Sequence, residues 1–599
     1  MLLALASAPA VARAQAATGA LQSAPITNVR YDLTFDARTA ATRTIHVEMS
    51  FGVTGRAPVL LSLPAWTPGA YEISNFARWV SRFDATQGDR SLDWDRSDYD
   101  TWRVVPSGAG NVTVAFDYLA DTLDNAMAWS RPDFALFNGT NVFLYPEGRP
   151  TDFTSTVTVH TEPDWLVTTG MTPGTGTHSY TSSNYHDLVD HPFFVGRFDR
   201  DSAQIQGKWV RLSTYPAGSF QGSQRAVFWD QEKRIFPVQN AVMDDAPYPT
   251  YDVMIIWDST SGGGSALEHS ASHVGVYSPL LAGSVLLPSI TAHEQFHLWN
   301  VKRLRPSDMW PYRYDRPMPT PWLWVSEGIT DYYADLALVR GGVVDSSGFL
   351  LLTRGKLIET AEVPAVSLED ASVATWIHPT DGTGYIYYQK GSLAGLMLDI
   401  MIRDASDNRR SLDDVMRELY RGAYRKGKGF TRAEWWGAVS RAANGKSFEE
   451  VERRYIDGRD PFPWATVFPL AGFRVRVDTI REPRLGVSTA PDSTGAVRVM
   501  SVEPGSAAAL AGVQPDDRLE RVGDIAVSDP NFGVLFRQRY MSAEGTTIPV
   551  IVRRAGQPTT LQLRVTLASR TDERVEFERD PSPRALRIRQ GILKGRTDQ

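Results

Sequence analysis

Thr291-Ala292-His293-Glu294-Gln295-Phe296-His297 sets two imidazoles four residues apart, with a carboxylate directly after the first. On an α-helix that spacing puts both rings on one face, where one tetrahedral zinc ion can bridge them at about 2.0–2.1 Å per nitrogen. Glu294 then faces the ion's open position and can take a proton from an attacking water, as peptide hydrolysis requires. The helix is expected to start near Ser289 and to stop before Pro306. Five such residues also occur by chance on exposed helices, so the reading needs a third ligand.

Ser326-Glu327-Gly328-Ile329-Thr330-Asp331 supplies one, thirty positions beyond His297 (327 − 297 = 30). Glu327 is a natural third ligand, and Asp331, one turn on, can accept the other ring N–H of a ligating His. Both acids sit within a bulky apolar run, Trp322-Leu323-Trp324-Val325 before and Tyr332-Tyr333 after, where an unpaired carboxylate is costly. Thr320 is placed as N-cap of this second helix, Pro321 in its first turn and Gly341-Gly342 at its stop. A rival pair, His269 and His273, has the same four-residue spacing but no glutamate after its first member. The zinc class that takes a third His six residues after His297 is disfavoured, because that position is Arg303 and the Gly its turn needs is Asn300.

The rest of the chain bounds this reading. At 599 residues it is too long for one core, and about three or four domains are expected. Its 69 acidic and 62 basic residues are well mixed, so no surface suited to nucleic acid is indicated. There is no Cys, so neither a disulfide nor a thiolate ligand is available and any metal must sit on His and carboxylate. The apolar start, MLLALASAPAVARAQA, with Ala12-Arg13-Ala14 as a small-x-small cleavage pattern, gives the expectation of export to a bacterial periplasm or beyond. No later stretch approaches the ~18–20 apolar residues of a membrane span.

The expected fold is multidomain α+β. Residues 1–24 are assigned to a signal peptide or tail. Residues 25–200 read as an all-β N-terminal domain, with alternating stretches such as Ile45 to Met49 and Val112 to Phe116. Residues 201–470 form a mainly helical catalytic domain, 471–568 a small β domain, and 569–599 a charged tail of weak periodicity. No internal repeat is present.

Four segments together resemble the glycyl aminopeptidase family of thermolysin-like zinc metallopeptidases. HEQFHLWNVKRLRP (293–306) is similar to that family's zinc helix and WVSEGITDYY (324–333) to its third-ligand helix. Ser265-Ala266-Leu267-Glu268-His269, after Gly262-Gly263-Gly264, resembles the Gly-x-Met-Glu-Asn segment of the wider zinc aminopeptidases, which implies that Glu268 binds the substrate's free α-amine, with Gly264 and His269 beside it. Tyr388-Gln389-Lys390-Gly391 resembles their Tyr-x-Lys-Gly segment, which implies an oxyanion-stabilising hydroxyl on Tyr388. Leu63 to Tyr71 (LPAWTPGAY) extends the resemblance to the N-terminal domain. Ser265, Leu267 and His269 depart from the wider pattern.

The C-terminal domain resembles a bacterial PDZ module, with Arg484-Leu485-Gly486-Val487 as the carboxylate-binding loop, a role that implies capture of a peptide C-terminus. The resemblance implies one zinc ion per chain and removal of small N-terminal residues, Gly or Ala, from peptides with a free N-terminus. Two alternatives stay open: an endopeptidase of the same clan, and a non-catalytic PDZ adaptor on a peptidase scaffold.

Overall fold

The computed structural model describes residues 22–491, 496–529 and 531–598. The export segment expected at residues 1–24 therefore lies largely outside the described residues. The chain divides into two compact units, residues 1–473 with 578–599, and residues 474–577.

The first unit begins as the expected β domain. Strand Thr44–Val53 alternates strictly: Ile45, Val47, Met49, Phe51 and Val53 are buried while Glu48 faces out, the period-two pattern of a half-buried strand. It pairs antiparallel with Gly110–Leu119 over its whole length. These are central strands of an eight-stranded sheet, and two four-stranded sheets complete the domain.

A five-stranded mixed sheet follows: β1 (Asp199–Ile205), β2 (Lys208–Tyr215), β3 (Thr250–Trp257), β4 (Gly264–Glu268) and β5 (Ser272–Tyr277), in the order β1-β2-β3-β5-β4. β3 pairs in parallel with both β2 and β5. Seven of its eight residues, all but Thr250, are buried, since both faces are covered. That buried run, apolar but for Asp252 and the hydroxyl of Tyr251, has no polar–apolar alternation to mark it as a strand. β4 is the edge strand and ends on Glu268.

Helix α1 (Gly222–Met243) crosses between β2 and β3. Behind the site it packs on α2 (Leu286–Phe296) and α3 (Thr330–Arg340), where Ile235, Ala292, Ala334, Ala337 and Leu338 form one cluster. α2 starts three residues before the expected Ser289 and its regular span ends at Phe296, the chain turning over residues 297–304. The N-cap hydroxyl of Thr320 accepts from the Trp322 N–H at 3.3 Å, and Gly342 at φ +69° ends the segment as anticipated. Helix α4 (Ile386–Ala405) crosses the start of this second segment.

The charged tail expected from residue 569 is corrected by the structure. Leu567–Phe577 is a strand paired with Phe473–Pro483. Pro583–Lys594 is a helix, α5, that packs on α3 and α4. Ser582 caps it, Pro583 fits its first turn and Gly595 at φ +64° ends it. Ala585, Ile588, Gly591 and Ile592 make its buried stripe. Only four positions carry that stripe among many charges, so the helix is inconspicuous in sequence.

The second unit is a six-stranded β structure beside the two-stranded ribbon, with short helices Ala507–Ala511 and Phe532–Tyr540. Val499, Leu519, Val550, Val552 and Leu563 lie in its core. Among the described residues no helix is long and apolar enough to cross a membrane.

Candidate active site

His293 and His297 sit at the C-terminal end of α2, and their Nε2 atoms are 3.0 Å apart. Glu327 Oε2 lies 3.4 Å from His293 Nε2 and 3.2 Å from His297 Nε2. A tetrahedral ion with ligands at 2.0–2.1 Å needs donor separations of about 3.3 Å, so the three donors are already at coordination spacing. The protons argue the same way. His297 Nδ1 is 2.6 Å from the Asn300 carbonyl oxygen, which can only accept, so Nδ1 carries a hydrogen and Nε2 is the nitrogen that faces the trio. His293 Nδ1 faces Asp331 Oδ1 at 3.7 Å, longer than a direct hydrogen bond. Two imidazole nitrogens and a carboxylate oxygen converging in a buried space suit a bound cation.

The charges around the trio reinforce this. Burial alone would lower the His293 imidazole, but Asp331, Glu327 and Glu294 push it up to about 10. Burial also works against the Glu327 carboxylate, yet the His297 and His293 rings hold it well below the ordinary range. A positive charge is thus stabilised between them.

Glu327 arrives on a π-helical turn, Trp324–Ile329, that leads into α3; such local widening of a helix recurs at functional sites. Two features fix that turn. Asn300 Nδ2 donates to the Val325 carbonyl at 2.8 Å and to Thr330 Oγ1 at 3.0 Å, stapling the chain after His297 to the Glu327 segment. On its other side Gly328 lies against α4 at Gly391: a methyl on Gly391 would meet the Trp324 carbonyl oxygen at 2.8 Å and Gly328 Cα at 2.9 Å. The Gly-Gly contact lets the Glu327 turn and the Tyr388 helix meet backbone to backbone. Gly328→Ala is expected to cost about 1–3 kcal/mol by overpacking, seen as a lower Tm, and to weaken metal retention because Glu327 must shift.

Glu294 is buried and, among the described residues, its Oε2 has no hydrogen-bond partner. Burial raises its carboxyl to about 7, against the opposing pull of His293 and His297. Tyr388, half-buried, has its ring 5.7 Å from that of His293. Tyr385 is exposed, and Tyr387 is buried with its hydroxyl 3.1 Å from Thr375 Oγ1. Lys390 donates to the Val366 carbonyl at 2.5 Å and so braces α4.

Glu268, Glu294 and His297 form a second buried group whose ligand atoms lie within 4.8 Å of one another. Glu268 is therefore beside the trio. Burial raises its carboxyl, and Lys302, with Nζ 3.8 Å from Oε1, opposes that rise. Lys302 also binds Asp190 at 2.9 Å, and Asp190 faces His269 Nδ1 at 3.3 Å and accepts from the Ser270 N–H at 3.0 Å. His269 is thus beneath the site, bracing the turn after Glu268. Gly264 is four residues away, about 13 Å along an extended strand, and lines a separate cleft of about 690 Å³ with Trp129, Tyr215 and Trp257. Of the three residues expected around the substrate amine, only Glu268 reaches the trio.

The rival pair His269 and His273 does not converge. A spacing of four brings side chains together only on a helix, and here the two flank the β4–β5 turn, with His273 opposite Glu268 and its Nδ1 2.9 Å from the Tyr251 hydroxyl. Arg484 to Val487 belong to the second unit, where they line a groove of about 830 Å³ between strand Val487–Pro491 and helix Phe532–Tyr540. Gly486, at φ +77°, approaches Ser506 too closely for any side chain.

Four residues near the trio escape sequence reasoning: Tyr71, Asp190, Asn300 in its bonding role, and Lys302. Each acts across the fold. Lys302 offered one faint sequence signal, a Lys directly after the largely apolar stretch Phe296 to Val301.

Residues 31–197 match the peptidase M61 N-terminal domain and residues 287–394 match the M61 glycyl aminopeptidase domain. Among solved structures, an aminopeptidase N family protein from Idiomarina loihiensis is 22% identical, with a TM-score of 0.76 over 94% of this chain and 100% of its own. An M1 zinc metallopeptidase from Deinococcus radiodurans is more distant, 16% identical with a TM-score of 0.48 over 74% of this chain and 96% of its own. No curated protein matches the chain. Both domain matches fall where the β domain and the His-His-Glu trio lie, so the chain is a peptidase that carries a segment similar to the M61 N-terminal domain and one similar to the M61 glycyl aminopeptidase domain.

Proposed function

We propose that the protein is a zinc-dependent aminopeptidase that removes small N-terminal residues, Gly or Ala, from peptides. The observation that carries this is the convergence of His293 Nε2, His297 Nε2 and Glu327 Oε2 at 3.0–3.4 Å beside a buried Glu294 oxygen that has no partner among the described residues. His293, His297 and Glu327 would hold one zinc ion, which when bound supplies the Lewis acidity that activates water and polarises a carbonyl. Glu294 accepts the proton of the attacking water and returns it to the leaving amine, a task suited to a carboxyl raised to about 7. Tyr388 donates its hydroxyl hydrogen to the developing oxyanion. Glu268 holds the substrate's ammonium and so registers the first peptide bond over the trio. The groove beside Arg484 to Val487 takes a peptide C-terminus as an added strand, as in PDZ modules. The apolar N-terminus directs the chain out of the cytoplasm.

An endopeptidase reading draws on one feature: Lys302 already lies 3.8 Å from Glu268 and partly compensates its charge. Unblocked aminoacyl amides, tested beside their N-acetylated forms with and without chelator, separate the two. The aminopeptidase reading expects chelator-sensitive turnover of the free amines alone. Equal rates on acetylated substrates would favour the endopeptidase, and no turnover in zinc-loaded protein would favour a PDZ adaptor. In the same panel Glu268→Gln is expected to raise KM for free amines about 10–100-fold, the worth of a hydrogen bond to a charged group.

A further inference from the structure

We propose that Tyr71, carried into the site by the N-terminal β domain, is a positioning residue that aims Glu327 at the two imidazoles. The inference rests on the zinc reading above.

Glu327 has two carboxylate oxygens, and they face different ways. Oε2 points to His293 and His297. Oε1 accepts a 2.6 Å hydrogen bond from the Tyr71 hydroxyl, across 256 residues of sequence. Both groups are buried, with Tyr71 3% and Glu327 2% exposed, so water does not compete for the bond. A carboxylate on a π-helical turn can rotate about its side-chain torsions; fixing one oxygen leaves the other as a single directed donor. Asn300 does the same for His297 from the opposite side. Each of these two ligands is thus held by a group outside the trio, the arrangement that tunes metal affinity.

The loop that delivers Tyr71 is built for close approach. Gly69, at φ +108°, lies against β4, where a methyl would meet the Glu268 carboxylate oxygens at 2.5 and 2.6 Å and Leu267 Cδ1 at 2.7 Å. Tyr71 itself adopts φ +50°, a backbone region unfavourable to a bulky residue, and strain of this kind persists where surrounding contacts over-determine it. Those contacts are present. Ala65 N–H donates to the Tyr314 carbonyl at 2.7 Å, Trp66 Nε1 to the Arg313 carbonyl at 2.8 Å, and Thr67 Oγ1 bonds Thr140 Oγ1 at 2.6 Å. The Trp66 ring also packs edge-on against Trp376 at 5.1 Å. The N-terminal domain is on this account a part of the metal site.

The test is zinc affinity by chelator competition on full-length Tyr71→Phe, with Tyr388→Phe as contrast. Tyr71→Phe is expected to lose about 10–100-fold in affinity, as when an outer partner of a ligand is removed. Tyr388→Phe is expected to retain affinity and to lose kcat. Wild-type affinity in Tyr71→Phe, with kcat reduced at saturating zinc, would make Tyr71 a substrate contact and overturn the inference alone. Wild-type protein that takes up no zinc would overturn the metal reading with it. If Tyr71→Phe does not fold, Gly69→Ala decides: by pushing the loop off β4 it should reproduce the affinity loss, and unchanged affinity would count against the proposal.

Discussion

Glu294→Gln is expected to lower kcat by about 10³-fold or more, near the upper part of the range that general acid–base catalysis supplies, while zinc content stays at the wild-type level. The amide is nearly isosteric but cannot accept a proton. Glu294 is not one of the three donors that meet at 3.0–3.4 Å, so the metal contact is untouched. The substitution also removes a buried negative charge whose desolvation outweighs the pull of His293 and His297, and so should leave Tm little changed or higher. Steady-state kinetics beside metal analysis checks this. Near-normal turnover in the Glu294→Gln variant would remove Glu294 from the mechanism.

The second large effect is expected from Glu327→Gln, which should cut zinc affinity by more than about 10²-fold, beyond the 10–100-fold typical of losing an outer partner. Activity should disappear with the metal. In the wild type, zinc should raise Tm as a ligand that binds only the folded state; in the variant that increment should vanish at the same zinc concentration. Retained affinity would mean that His293 and His297 find their third donor elsewhere. Glu268 and Glu294 are the other acids within reach of His297, so Glu268→Gln in the same assay identifies the substitute. The two variants thus divide the site. One loses chemistry and keeps metal, and the other loses both.

Local pattern made much of this protein legible from the chain alone. The four-residue spacing of His293 and His297 and the apolar setting of Glu327 are properties of single helices, where side-chain direction follows from 3.6 residues per turn. The alternation of Thr44–Val53 is likewise set by a period of two. Caps and stops at Thr320 and Gly342 depend on backbone chemistry within a few residues. Where a periodic stripe was thin, as in Pro583–Lys594, or buried on both faces, as in β3, that signal faded.

Folding alone settles which distant groups meet. His269 shares the right spacing with His273 but lies on a strand turn, so spacing there carries no geometry. Lys302 beside Glu268, Asn300 beneath His297 and Tyr71 on Glu327 are separated in sequence by 34, 3 and 256 positions respectively. Even the shortest of these depends on the turn after α2 folding back on itself. Hydrogen bonds and ion pairs of this kind have no period, and their energy exists only once packing excludes water from both partners. The order of residues therefore specifies which atoms can bind a cation and move a proton; the packed chain specifies what holds them still.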